Sequence, residues 1–262
     1  VRMIGSSYGM LLVTGPTGSG KTTTLYSMLT RLNHPDRKII TIEDPVEYQI
    51  QGINQIQVRS DIGLSFAAAL RSILRHDPDI VLVGEIRDRE TAEISIQSAL
   101  TGHLVLSTLH TNDAPSSLFR LVEMGIEDYL LNAALVGVMA QRILRRNCPF
   151  CSRPDPGAEA LLREYALHDV AEKCGHLLGD GINLQRGQGC PRCGGTGYRG
   201  RMAIFELFDY TDDLKELFLK KMSLEALRGA LRERPSFRYL REDGILKVAR
   251  GQTTLDEVLR VC

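Results

Sequence analysis

Eight residues, Gly15-Pro16-Thr17-Gly18-Ser19-Gly20-Lys21-Thr22, fit the pattern G-x-x-x-x-G-K-[ST]. Glycines at these spacings let backbone N–H groups turn inward around phosphate oxygens, and a helix opening at the lysine aims its positive end at the same place. Lys21 then reaches the β- and γ-phosphates of a nucleotide, the Thr22 hydroxyl is placed to ligate magnesium, and Thr23 carries the cradle into the helix. Such a cradle does not separate a hydrolase from a kinase or a nucleotide-gated switch. Hydrolysis also needs a carboxylate to orient or deprotonate water, and positive charge to meet the charge developing on phosphate.

Glu85, in DIVLVGEIRD (Asp79–Asp88), is well placed for the first role, because strand ends in such sheets border the ligand crevice. Nucleotide hydrolases usually end this strand in a magnesium-holding aspartate; here Gly84 fills that place. Glu43 and Glu47, after another apolar run, can supply the metal contact directly or through water, or form a solvated acidic loop. His103 and His110 flank HLVLST. A histidine beside apolar residues is more often a satisfied core residue, and His110, followed by Thr111-Asn112-Asp113, is the better catalytic candidate. Arg71 and Arg75 lie four apart on one helix face, and Arg87 follows Glu85. Each can act on phosphate, within the subunit or from a neighbour, or be an ordinary surface arginine.

A second constellation is Cys148-x-x-Cys151 with Cys190-x-x-Cys193. Four thiolates are the ligand set of a structural zinc site, and they leave no open position for water. Gly194-Gly195 suits a tight knuckle in which backbone N–H groups approach the sulfurs. Disulfides are the competing reading, but a chain this long without a visible secretory signal favours metal and a reducing compartment. Cys174 and Cys262 stand apart from both pairs.

The elements that must position these residues are short apolar runs alternating with helical patterns. Met10–Thr14, Lys38–Ile42, Ile80–Val83 and His103–Thr108 read as strands, and Ser65–Arg75 and Arg89–Leu100 as helices. The alternation predicts an α/β fold with a mostly parallel sheet covered on both faces. Tyr129–Ala140 is the most apolar helical candidate and is too short to span a bilayer. Near Asn147 the texture turns loop-rich, Met202–Leu207 resumes as a strand, and two or three short helices follow. The last of these is opened by the capping-box pattern Thr254-x-x-Glu257. With 32 basic and 32 acidic residues in 262, no global field draws the chain to nucleic acid. Val1 is not an initiator methionine, so the chain is expected to be a piece of something longer.

Four blocks in order, GPTGSGKTTTLYS, TIEDPVEYQIQGINQIQV, LRHDPDIVLVGEIRDRETAEI and TGHLVLSTLHTNDA, resemble the ATPases of type II secretion and type IV pilus assembly. They correspond to that family's Walker A loop, Asp box, Walker B strand and His box. The resemblance continues through MAQRILRRNCPFC, GCPRCGGTGYRGRMAIFEL and LREDGILKVARGQTTLDEVLRV.

It implies a RecA-like P-loop core over residues 1–147, a four-cysteine zinc subdomain over 148–200 and a C-terminal strand and helical region over 201–262. It also implies a homo-hexameric ring using ATP, Mg2+ and Zn2+. Such a ring is cytoplasmic and peripheral on the inner membrane, and meets a membrane platform protein and the cytoplasmic part of a bitopic secretion protein. Its work is to drive pseudopilin or pilin polymerisation. By carry-over Glu85 is the catalytic base, for the family has glycine before it. Glu43 joins the metal or water shell, His110 lies near the γ-phosphate, and Arg71 and Arg75 match family arginines.

The four-cysteine element marks assembly and secretion members, whereas retraction motors generally lack it. The family's N-terminal domain is expected to be missing here. Many secretion members read F-A-R-x-L-R where this chain has Phe66-Ala67-Ala68-Ala69-Leu70-Arg71; the first arginine is absent, as in many pilus-assembly relatives. Pilus assembly is therefore the alternative to type II secretion. A zinc-ribbon nucleic-acid or chaperone module leaves the P-loop, Glu85 and His110 unexplained, and a non-hydrolysing nucleotide-bound scaffold is the third reading.

Overall fold

Apolar runs buried on both faces become the centre of a parallel sheet, because only a strand covered twice has no polar face to present. In the computed structural model β1 (Gly9–Thr14), β2 (Ile39–Glu43), β4 (Ile80–Val83) and β5 (Leu104–Leu109) are buried at every residue. The structure describes residues 3–155 and 181–262, with Gly157, Ala160 and Val170 between them; Cys174 lies outside the described residues. The sheet is completed by β3 (Asn54–Gln57), β6 (Leu135–Asn147) and β9 (Tyr198–Asp209), in the order β3-β2-β4-β5-β1-β6-β9. Pairings β1/β5, β1/β6, β2/β3, β2/β4 and β4/β5 are all parallel. The carboxyl ends of β1, β2, β4 and β5 therefore share one edge, and β5 separates the P-loop strand from the strand that ends at Gly84-Glu85.

Two compact units divide the chain: residues 1–140 with 207–231, and residues 141–206 with 232–262. In the first, α1 (Lys21–Leu32) lays Leu25, Tyr26, Met28, Leu29 and Leu32 on Leu11 and Val13 of β1, with Ile80, Leu82, Leu104 and Leu106 beside them. Burying each such leucine contributes about 1.5–3 kcal/mol. Helix α2 (Phe66–Ile73) is capped by Ser65, whose hydroxyl accepts from the Ala68 N–H, and α3 (Arg89–Leu100) by Asp88, which accepts from Thr91 N–H at 2.8 Å. Short helices α4 (Pro115–Glu123) and α5 (Asp128–Ala134) follow, and Asp212–Leu219 and Leu224–Arg232 complete this unit. The second unit holds an antiparallel pair, β7 (Ser152–Pro154) with β8 (Gln185–Gly187), and helices Leu240–Ala249 and Leu255–Val261.

Three expectations are corrected. Tyr129–Ala140 is not one helix: α5 stops at Ala134 and β6 begins at Leu135. A Cβ on Gly137 would lie 2.8 Å from the Phe208 carbonyl, so this backbone runs against β9 at a distance only glycine permits. The helix read over Ser65–Arg75 is α helix only to Ile73; Leu74–His76 tightens to a 3-10 turn and Asp77 ends it at a φ of 50°. The capping box at Thr254 does not form. The Thr254 hydroxyl meets the Tyr198 hydroxyl at 2.8 Å, and Glu257 accepts from the Arg145 N–H at 2.8 Å and its guanidinium at 2.6 Å. A buried carboxylate beside arginines gains more from them than from a backbone N–H it could leave to water.

Candidate nucleotide site and candidate metal centre

The P-loop joins the end of β1 to the start of α1. Gly18 and Gly20 take φ values of 78° and 86°, left-handed turns that L side chains rarely adopt. Gly20 is the N-cap of α1 and has no side chain to accept from the first-turn N–H groups, which suits this helix end to phosphate. Lys21 arches back over the loop, its Nζ donating to the carbonyls of Gly15 at 2.8 Å and Pro16 at 3.2 Å.

Glu85 follows β4 on the same edge, its side chain 12% exposed. One carboxylate oxygen meets Arg87 at 2.7 Å and the other lies 3.4 Å from His110 Nε2. Gly84 is explained by packing. Its N–H bonds to the Ile42 carbonyl at 2.8 Å, and a Cβ there would sit 3.1 Å from that carbonyl and 3.4 Å from the Glu43 Cα. The neighbouring strand occupies the space an aspartate side chain would need.

His110 ends β5 and is exposed. Next to it the Thr111 hydroxyl meets Thr14 at the base of the P-loop at 2.7 Å and Ser117 at 2.8 Å, and Thr14 accepts from the Thr111 N–H at 2.9 Å. Asp113 accepts from the Ser116 N–H at 2.8 Å and Arg228 at 2.5 Å. Burial pushes the Asp113 carboxyl up, but the Ser116 and Arg228 donors outweigh it and hold the group below its ordinary range. His103 is placed otherwise: its Nδ1 lies 2.9 Å from the Ser98 carbonyl at the end of α3, a local tether.

Glu43 is 3% exposed and committed to protein donors: Tyr26 on one oxygen, Thr41 at 2.5 Å and Gln55 at 3.1 Å on the other. Glu47 is exposed. Arg71 pairs with Glu90 of α3 at 2.5 Å, and both Arg71 and Arg75 are exposed.

In the second unit the four sulfurs of Cys148, Cys151, Cys190 and Cys193 converge, all within 4.8 Å of one another. Separations of 3.9 Å (Cys148–Cys190), 3.9 Å (Cys151–Cys193) and 3.7 Å (Cys190–Cys193) are far too long for disulfides. They match the edge of about 3.8 Å that a tetrahedron with Zn–S near 2.3 Å requires. Cys193 Sγ accepts from the N–H groups of Cys190 at 3.2 Å and Gly197 at 3.3 Å. Desolvation pushes its thiol up, yet these N–H groups prevail and lower it to about 6, toward the thiolate a metal binds. The same desolvation, with fewer opposing donors, raises Cys151. The quartet fits zinc.

Comparison with known proteins decides the family. Residues 1–260 match the type II/IV secretion system protein family. The chain belongs to that family. It is 49% identical over 260 residues to the type IV pilus assembly ATPase PilB of Thermus thermophilus, covering 98% of this chain and 28% of that protein. It is 51% identical over 255 residues to type II secretion system protein E of Pseudomonas aeruginosa, covering 97% of this chain and 48% of that protein. The fold is similar to that of the pilus retraction motor PilT solved with bound ADP, at a TM-score of 0.72 and 28% identity, covering 100% of this chain and 63% of that one. The chain thus spans about a quarter to a half of the curated relatives it matches.

Of the site residues read from the sequence, the structure brings Glu85 and His110 together and gathers all four cysteines. It leaves Arg71 on the surface with Glu90 and buries Glu43. Tyr26, Thr14, Thr111 and Arg228 were missed. Their only signal in the sequence is a polar atom at an otherwise apolar or motif-flanking position.

Proposed function

We propose that this family member is the ATP-hydrolysing part of a hexameric motor that powers pseudopilin assembly for type II secretion. The observation that carries the catalytic reading is Glu85, held at the sheet edge with its two oxygens toward Arg87 and His110. Glu85 acts as general base toward the attacking water. Lys21 swings from its two carbonyls to the β- and γ-phosphates, and the N–H groups of residues 17–23 bind the same oxygens, with Gly15 and Pro16 shaping the turn. His110 offers a hydrogen-bonding imidazole and Arg87 a positive charge beside the γ-phosphate, and Arg71 and Arg75 add charge within the subunit or across a ring interface. Thr22 would hold a magnesium ion, which would supply charge neutralisation to the phosphates. Cys148, Cys151, Cys190 and Cys193 would hold zinc, which would crosslink the knuckle and leave hydrolysis to the P-loop residues.

No described helix is long and apolar enough to cross a membrane, which accords with peripheral binding to the inner membrane through a platform protein and a bitopic secretion protein. Identities of 49% and 52% to two PilB proteins favour type IV pilus assembly as the second reading. Both readings rest on relatives 49–52% identical that are named for assembly or secretion, against 28% identity to the retraction motor PilT.

ATP turnover and nucleotide binding by the full-length oligomer, measured with and without Glu85→Gln, test the assignment. Binding is expected to persist while turnover falls at least about 100-fold. Unchanged turnover removes Glu85 from the role of base.

A further inference from the structure

We propose that Tyr26 is a positioning residue of the nucleotide site: its phenol ties the Asp-box loop to the helix that carries Lys21, using Glu43 as the anchor. The proposal rests on the hydrolytic reading above.

Tyr26 lies five positions after Lys21 on α1, with only 1% of its surface exposed. A position buried this deeply on an apolar helix face is served by phenylalanine unless the hydroxyl finds partners, because an unpartnered hydroxyl is costly to bury. Here it finds three. It donates to Glu43 Oε2 and accepts from the Glu47 N–H at 3.3 Å and Gln55 Nε2 at 3.4 Å. Gln55, on β3, also donates to Glu43 at 3.1 Å and to the Tyr48 carbonyl at 3.2 Å, and its Oε1 accepts from the Ile50 N–H at 2.6 Å. The Tyr48 ring stands edge-on to Tyr26, centroids 4.6 Å apart. One network, buried at Tyr26 and Glu43 and half-buried at Gln55, therefore joins α1, β2, β3 and residues 47, 48 and 50 of the loop. Burial and the adjacent Glu43 carboxylate raise the phenol well above its ordinary range, so it stays a donor throughout the working pH range.

The consequence is a division of labour between the two Asp-box glutamates. Glu43 has both oxygens engaged by Tyr26, Thr41 and Gln55 and serves as the fixed point. Glu47, exposed and with its N–H on the Tyr26 hydroxyl, is the carboxylate whose place along the sheet edge is set by that fixed point. A shift of about 1 Å in a group that orients water or metal is enough to cost turnover while leaving nucleotide affinity in place.

The test uses the full-length oligomer with Tyr26→Phe, Glu43→Gln and the double variant, plus Gln55→Leu, which cuts the same loop from the β3 side. ATP turnover, affinity for a fluorescent ATP analogue and amide exchange over residues 46–50 are measured together. Tyr26→Phe is expected to lower kcat about tenfold, leave affinity within about threefold and speed exchange in the loop. The double variant is expected to be no slower than the slower single variant, because both cut one network. Gln55→Leu is expected to speed the same exchange. A Tyr26→Phe enzyme with kcat within twofold of the parent and unchanged exchange overturns the proposal, as do losses that multiply in the double variant. A parent oligomer that binds ATP without turning it over overturns the hydrolytic reading instead, and loop exchange alone then decides the role of Tyr26.

Discussion

The phosphate loop hangs from a buried parallel strand, whereas the cysteine quartet joins two short turns separated by a long stretch of chain. Around the first, Leu11, Val13, Leu25 and Leu29 belong to one continuous apolar core. Around the second, the close packing is glycine on glycine: a Cβ on Gly187 would lie 1.9 Å from the Gly197 carbonyl, and one on Gly189 would lie 2.7 Å from that of Gly195. Backbone pressed on backbone buries little apolar surface, so a metal held by the sulfurs would supply what side chains supply elsewhere. The cradle keeps its working groups open to a substrate. The quartet, with four sulfurs around one point, leaves no open position for a substrate.

Stripping the metal sharpens this contrast most. One zinc per chain is expected in protein prepared without chelator, and its removal should expose the cysteine knuckle to proteolysis while the P-loop unit keeps its nucleotide affinity. Structural zinc sites contribute on the order of 10 kcal/mol to local folding, so partial effects are not expected. Metal analysis that finds no zinc would falsify the assignment. Next in size is His110→Ala, expected to lower turnover about tenfold through loss of the imidazole 3.4 Å from Glu85, against a twofold change at most for His103→Ala. Equal effects would dissolve the distinction between the two histidines.

Placing the absent aspartate at Gly84 is a packing experiment. Gly84→Asp is expected to cost about 1–3 kcal/mol in thermal or denaturant unfolding and to gain no activity, because its Cβ meets the Ile42 carbonyl at 3.1 Å. A stable, more active variant would mean that the adjoining strand yields.

The smallest effect concerns acid stability of the second unit. Desolvation pushes Glu257 up, but Arg145, Arg260 and the Arg145 N–H bring it down to about 2 from an ordinary value near 4.5. A folded-state value below the unfolded one contributes stability that is fully present above about pH 4.5 and fades as pH falls toward 2. Glu257→Gln should cost about 2 kcal/mol at neutral pH and flatten the loss of stability across that window. An unchanged acid profile places the sensitivity elsewhere.

Much of the nucleotide site was legible because its signals are local. The glycine spacing of the P-loop and the all-apolar strands each lie within one element and its next turn. Polar β3 was missed, since an edge strand reading Asn-Gln-Ile-Gln has no apolar run to reveal it. The Thr254 cap was misread because a capping box and a carboxylate bound to Arg145 look alike along the chain.

The amino-acid sequence by itself determined the identity of the cradle, the presence of Glu85 behind a glycine, and two cysteine pairs with zinc spacing. These depend on residue types within a few positions of one another. Only the tertiary structure decided that β5 lies between β1 and β4, which brings His110 beside Glu85. Only it decided that Gly84 is small because β2 crowds it, and that Glu43 is bound by Tyr26 and Gln55. Those relations depend on which strands pair and what packs across them, and periodicity along one segment carries no record of its neighbours.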